Sequence, residues 1–246
     1  QYFFVCASLT DIVTQHLKEF GTLDNFAEKN AIHINDTHPA LCVPELMRIF
    51  VDECSLDWDK AWEITTNSLY YTNHTVMEEA LEKWDIELFK KRLPRIYSIV
   101  EEINRRFCND IYNRLGTFAG GYPNIDKLSI IGDGKIRMAN MAIIGSRFVN
   151  GVSALHSEII KKNTFRDFNI VFPEKFTNVT NGITHRRWLC QANEQLTLYL
   201  DELMGTDIAS DIHGLDGLNK YANDEKVLDK LFDIKQNNKK RLAAYI

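Results

Sequence analysis

The sequence predicts an α/β protein that is predominantly helical with few short strands. Three observations carry this. Apolar residues recur three and four positions apart through most of the chain, the spacing of an amphipathic helix. Only AIHIN (31–35), KLSII (127–131) with the following GDGKIRM, and FTNVTN (176–181) look like strands or a hairpin. No internal repeat or low-complexity tract interrupts the pattern.

Taken in order, the first helix is expected over 2–20. AIHIN partly alternates apolar and polar residues as a strand does, and Asp36 and Thr37 are then natural caps, with Pro39 able to open a helical turn. Asp36 and His38 would therefore project from a strand-to-helix corner, a place where α/β proteins bind ligands. Asp36 could equally be a cap and nothing more. Helices follow over 44–54 and 58–71. Thr75, with Glu78 three residues on, has the form of a capping box that would start a helix over 76–84 and leave His74 just outside its N-terminus. There His74 is either a satisfied structural histidine or a neutral hydrogen-bonding group aimed by the helix.

A long helix is expected over 86–115, a glycine-rich connection over 116–124, and a hairpin around Asp133-Gly134. GDGK (132–135) lacks the spacing of a phosphate-binding loop and reads as the turn of that hairpin. The segment 138–155 is nearly long enough to span a membrane, but Asn140, Arg147 and Asn150 are costly in hydrocarbon. It reads as a buried helix pair within 138–161, broken near Gly145 and Gly151. A polar connection covers 163–176. After the strand-like FTNVTN, Asn181-Gly182 makes a turn, Thr184 can cap a helix over 186–204, and the last twenty residues form another. Arg186 and Arg187 would sit in a first helical turn, where the dipole disfavours cations. Either a neighbouring carboxylate pairs with them or the site wants positive potential.

Composition narrows the function classes. With 45% hydrophobic and 11% aromatic residues the chain is a folded protein, and its net charge of −5 argues against nonspecific nucleic-acid or anionic-membrane binding. Five cysteines, an odd number with no C-x-x-C pair, suggest neither a disulfide framework nor a zinc site, and point to the reducing cytoplasm. No histidine lies in an H-E-x-x-H pattern, so no metal is expected. The N-x-T sequons at Asn35, Asn73 and Asn178 are not read as glycosylation sites. The apolar start QYFFVCASL, without initiator Met or leader, and a helical pattern running to Ile246 lead us to expect a piece of a longer chain.

NDTHPALCVPELMRIFVDE, YYTNHTVMEEALEKW, MANMAIIGSRFVNGVSALHSEI and KFTNVTNGITHRRWL, in this order and at these separations, resemble the α-glucan phosphorylases (glycogen, starch and maltodextrin phosphorylases) essentially end to end. The resemblance implies part of a two-domain GT-B fold, with 1–182 the later part of the N-terminal domain and 183–246 the beginning of the C-terminal domain. It implies a parent glycosyltransferase, a homodimer, that uses pyridoxal phosphate to cleave terminal α-1,4-glucosyl units with inorganic phosphate, giving glucose 1-phosphate. His74 then looks like the histidine that contacts the glucosyl 6-hydroxyl and offers a backbone carbonyl to developing positive charge, and Asn181 like its partner on the same sugar. Asp36 and His38 resemble residues bordering the glucan channel, Val152 a pocket-wall residue, and Trp188 one packed beside the cofactor. His185 departs from the proline many members carry. The family's cofactor lysine and phosphate-binding residues follow the TNGIT motif at a distance this chain does not reach, so no catalytic residue is assigned and this chain alone is expected to be silent. The alternatives are a non-catalytic glucan-binding or interaction module, or part of another GT-B glycosyltransferase.

Overall fold

A computed structural model describes residues 1–116, 118 and 122–246; part of the glycine-rich stretch 116–124 thus lies outside the described residues. The elements in chain order are α1 (Tyr2–Phe20), α2 (Phe26–Lys29), β1 (Ile32–Asn35), α3 (Cys42–Arg48), α4 (Trp58–Ser68), β2 (Leu69–Asn73), β3 (Lys83–Asp85), α5 (Ile86–Arg92), α6 (Pro94–Asn113), α7 (Ile125–Leu128), β4 (Ile131–Gly132), β5 (Lys135–Arg137), α8 (Met138–Gly145), β6 (Phe148–Gly151), α9 (Ala154–Ile159), α10 (Arg166–Val171), β7 (Phe176–Asn178), α11 (Glu194–Met204) and α12 (Glu225–Tyr245). The protein is α/β and mainly helical, with short strands in two small sheets.

Chain contacts divide it into two compact units, Gln1–Asn181 and Gly182–Ile246. The first is built on a parallel sheet in the order β1-β2-β6-β7. Its register sets Asn35 beside Thr72, Asn73 beside Gly151, and Gly151 beside Asn178. Such a sheet must be covered by helices, and two of the helices are buried on nearly all sides. Every residue of α8 is buried, and so are Cys42 to Met47 of α3. Close approach here depends on Gly145, where a Cβ would meet the Val43 methyl carbons at 2.4 Å. A buried ionic cluster adds direction to this packing. Glu45, fully buried, receives Arg48 at 2.7 Å and the Tyr2 hydroxyl at 2.9 Å, which pins α1 to α3.

The second sheet, β3-β5-β4, is antiparallel. Asp133 and Gly134 both take left-handed backbone angles (φ 54° and 69°), as a tight two-residue hairpin turn requires, so GDGK is a turn. The second unit holds a wide, π-type turn over Arg186–Gln191, then α11, a run of 3-10 turns over Ile212–Tyr221, and α12. Asn193 and Asp224 cap its two α-helices.

Several expectations are corrected. The segment 76–84 is not a helix: after a short turn at Glu78–Ala80 it enters β3, because Trp84 pairs with Ile136 of the hairpin. The Thr75 hydroxyl accepts from Met77 N–H at 3.3 Å, not from Glu78, so no capping box forms and no helix dipole acts on His74. The tail of 58–71 is strand β2 and the middle of 138–161 is strand β6. β2 is buried at all but one residue, and β6 is only four residues long with Phe148 exposed, so neither offers a period-two alternation long enough to reveal it. The helix over 86–115 divides at Leu93, where Pro94 opens α6. Part of KLSII belongs to α7, and the connection 163–176 contains α10. The turn after β1 leads into α3 at Cys42, with Leu41 rather than Asp36 or Thr37 at the cap position.

Candidate functional site

The parallel sheet has one polar edge, formed where all four strands end. Asp36 and His38 follow β1, His74 follows β2, Val152 follows β6, and Asn181 follows β7. Ligands of open α/β sheets bind outside these carboxyl ends. At an interstrand spacing of about 4.8 Å, β2 and β7 lie about 10 Å apart with β6 between them.

One imidazole ties three of these loops together. Val152 N–H donates to Nδ1 of the buried His156 at 3.0 Å. Since Nδ1 accepts there, the ring proton sits on Nε2, which donates to the Thr75 carbonyl at 3.1 Å. The Val152 carbonyl in turn accepts from Asn181 N–H at 2.9 Å. A continuous hydrogen-bonded path therefore runs from the residue after His74 through His156 and Val152 to Asn181.

A second row crosses the sheet. His33 meets the Thr72 hydroxyl at 2.7 Å, Asn150 donates to that hydroxyl at 3.2 Å, and the Asn150 side-chain oxygen accepts from Val179 N–H at 2.6 Å. Asn178 donates to Gly151 O and Ser157 Oγ, both at 3.0 Å. Asn73, fully buried, donates to the Tyr71 hydroxyl and accepts from Thr75 N–H, bending the chain that carries His74. Gly151 admits no side chain, since a Cβ would meet Ser157 Oγ at 2.2 Å and its Cα at 2.8 Å.

Against this rigid frame the ligand-contact candidates are open. His74 is exposed; its Nε2 donates to Asn35 Oδ1 at 2.7 Å, which leaves Nδ1 without a partner among the described residues. The Asn181 side chain is exposed and makes no hydrogen bond among the described residues. Asp36 adopts φ 59°, its N–H donating to Thr72 O and its carboxylate accepting from Thr37 N–H, both at 2.8 Å. His38 lies 3.6 Å from Glu82. Burial alone would raise the Glu82 carboxyl, but Gln1, Thr37 and His38 together hold it below the usual range.

Trp188 lies in the second unit and is 72% exposed. Arg186 and Arg187 are exposed and form no ion pair among the described residues. Arg186 adds a small pull to Asp207, whose carboxyl is held low chiefly by the Ser210 hydroxyl. His185 is buried and its Nε2 lacks a partner among the described residues. Thr184 accepts Trp188 N–H through its main-chain carbonyl at 3.0 Å, and no side-chain cap is present.

Sequence reasoning missed Asn35, Asn150, His156 and Asn178, which hold the frame. A signal was present: asparagine ends or nearly ends each parallel strand, in IND, TNH, VNG and TNV.

A family model described as carbohydrate phosphorylase matches residues 1–246. The chain is 46% identical over its whole length to a glycogen phosphorylase of Bacillus subtilis and 44% identical to one of Haemophilus influenzae. It is also 44% identical to the muscle form of glycogen phosphorylase from Macaca fascicularis. In each case the chain is covered completely and spans 30% of the relative's length. Among the described residues no helix is long and apolar enough to cross a membrane.

Proposed function

The chain belongs to the carbohydrate phosphorylase family, and on that premise we propose that it is part of an α-glucan phosphorylase, a glycosyltransferase that splits terminal α-1,4-glucosyl units with inorganic phosphate to give glucose 1-phosphate. In this reading residues 1–182 are the later part of a GT-B N-terminal domain and 183–246 the beginning of the C-terminal one, in a cytoplasmic homodimer. The observation that carries the site assignment is the hydrogen-bonded path joining the His74 loop to Asn181.

His74 and Asn181 are the sugar contacts. Asn35 holds the His74 proton on Nε2, so with a neutral ring the Nδ1 lone pair accepts a sugar hydroxyl, and the Asn181 amide donates to the same unit. The His74 carbonyl faces positive charge as it develops on the ring. Because the frame is held before substrate arrives, these groups act by positioning and electrostatics. Asp36 and His38 border the glucan path, and Val152 walls the pocket.

The family's pyridoxal phosphate would supply the acid–base group through its phosphate. The residues present do not hold it by themselves. Trp188 is largely exposed, and the enclosed lysine, Lys175, is engaged by the Ile143 and Ile144 carbonyls at 3.1 and 3.3 Å beyond the strand starts, at the opposite sheet edge from His74. The 246-residue chain, given glucan, phosphate and pyridoxal phosphate, should release no glucose 1-phosphate.

In the full-length protein, His74→Ala and Asn181→Ala should each lower kcat/KM for phosphorolysis by about 10–100-fold, as loss of positioning contacts does. The double variant should fall short of the product of the two. Strict multiplicativity would mean the two side chains do not share a sugar.

A further inference from the structure

The opposite edge of the parallel sheet holds a different chemistry. Where β2, β6 and β7 begin there is a hollow of about 630 Å³, a size that accommodates a small organic molecule. Trp58 and Trp62 of α4, Phe107 of α6 and Phe172 form its apolar walls. None of the residues assigned above to sugar or cofactor lines it.

Hydrogen-bond donors converge at the strand-start end of this hollow. Ser146, wholly buried, lines it with an Oγ that has no partner among the described residues. Arg147 follows, stacked on Phe148 with its guanidinium carbon 5.6 Å from the ring centre, and no carboxylate pairs with it among the described residues. Lys175 reaches in from the start of the neighbouring strand, since Val149 lies beside Phe176 in the register. Its ammonium has three donors, two of which are engaged by the carbonyls that end α8, and it lies 4.7 Å from the Phe172 ring centre. Those contacts also mask the negative end of that helix. Of the carboxylates lining the hollow, Asp59 is bonded to Arg106 at 2.8 Å and Asp110 to Arg114 at 3.0 Å. Glu174 stands exposed beside the two lysine and arginine cations, leaving their end one positive charge in excess.

We infer that this hollow is a binding site for a planar, largely apolar molecule carrying one anionic group, of the aryl carboxylate class, its ring between the tryptophans and its anion at Ser146, Arg147 and Lys175. This goes beyond the phosphorylase reading and does not depend on it. Stacking on aromatic walls favours a flat body, and a carboxylate matches the guanidinium fork.

The test titrates the full-length protein with 1-naphthoate and, separately, with the neutral 1-naphthalenemethanol, read by calorimetry. Naphthoate should bind saturably and at least tenfold more tightly than the alcohol. Arg147→Gln, at an exposed position whose change leaves the fold intact, should cut that preference to threefold or less. Trp62→Leu should weaken both ligands several-fold. Equal affinity for the two probes, a preference untouched by Arg147→Gln, or no saturable binding because another segment of the protein fills the hollow would each overturn the assignment.

Discussion

The two edges of one four-stranded sheet have opposite character. At the carboxyl edge the polar groups of the frame satisfy one another: His156, Asn150, Asn178 and Asn73 make paired contacts, while His74 and Asn181 extend outward with atoms to offer. At the amino edge the walls are aromatic, and Ser146 and Arg147 keep donors without polar partners among the described residues. Two kinds of readiness thus coexist on one scaffold. The first edge is preorganised by hydrogen bonds that tolerate little change, whereas the second is a preformed space whose specificity rests on a few donors.

The contrast breaks hardest at His156. Replacing it with Leu strands Val152 N–H and the Thr75 carbonyl together, and should cost about 2–6 kcal/mol of stability, at about 1–3 kcal/mol for each enclosed group left unpaired. Denaturant unfolding measures this. A cost below about 0.5 kcal/mol would show that the path between the two loops is decorative. Next come two glycines near the ends of β6, Gly151 as its last residue and Gly145 ahead of its start. Gly151→Ala at the carboxyl edge drives a methyl against the Ser157 main chain and should cost about 2–3 kcal/mol, the upper range for overpacking. Gly145→Ala at the other end meets Val43 side-chain carbons first, so adding Val43→Ala should recover part of its cost.

A pH dependence tests the amino edge. Burial, opposed weakly by Glu174, pushes the Lys175 ammonium down to about 8 from 10.5; its Nζ end is enclosed although the side chain as a whole is half-buried. The folded chain sheds this proton before the unfolded chain does. Between about pH 8 and 10.5 the unfolded state binds more protons, so stability should rise with pH across that window, and below pH 8 the burial penalty is present in full. Lys175→Met should abolish this increment. Urea midpoints of both proteins across the window test it, and parallel curves would refute an enclosed lysine.

Much of this organisation was legible in the residues. The spacing of α1, α6 and α12, the Asp133-Gly134 hairpin and the β1 and β7 segments all follow from local pattern and turn chemistry. The central strands β2 and β6 were not legible, because β2 is buried almost throughout and β6 spans only four residues, and each comes just after a helix, α4 or α8, whose apolar pattern runs into it. The capping motif at Thr75 and Glu78 misled because the pairing of Trp84 with Ile136, which is not local, decides that segment. At the site, the residues that carry distinctive motifs were visible, while His156 was not. A histidine four residues after Val152 carries no local mark, and only the packing of α9 against the strand end brings its ring between the two loops.

The left-handed angle at Asp36 has a consequence for how this protein can be improved. An L-residue pays strain there that glycine would not, and the bond from Thr37 N–H returns only part of it. A mutagenesis campaign guided by thermostability alone would therefore drift toward glycine at this corner, and each degree gained would come from erasing a carboxylate at the mouth of the site. If Asp36 borders the glucan path as proposed, robustness and recognition pull this one position in opposite directions.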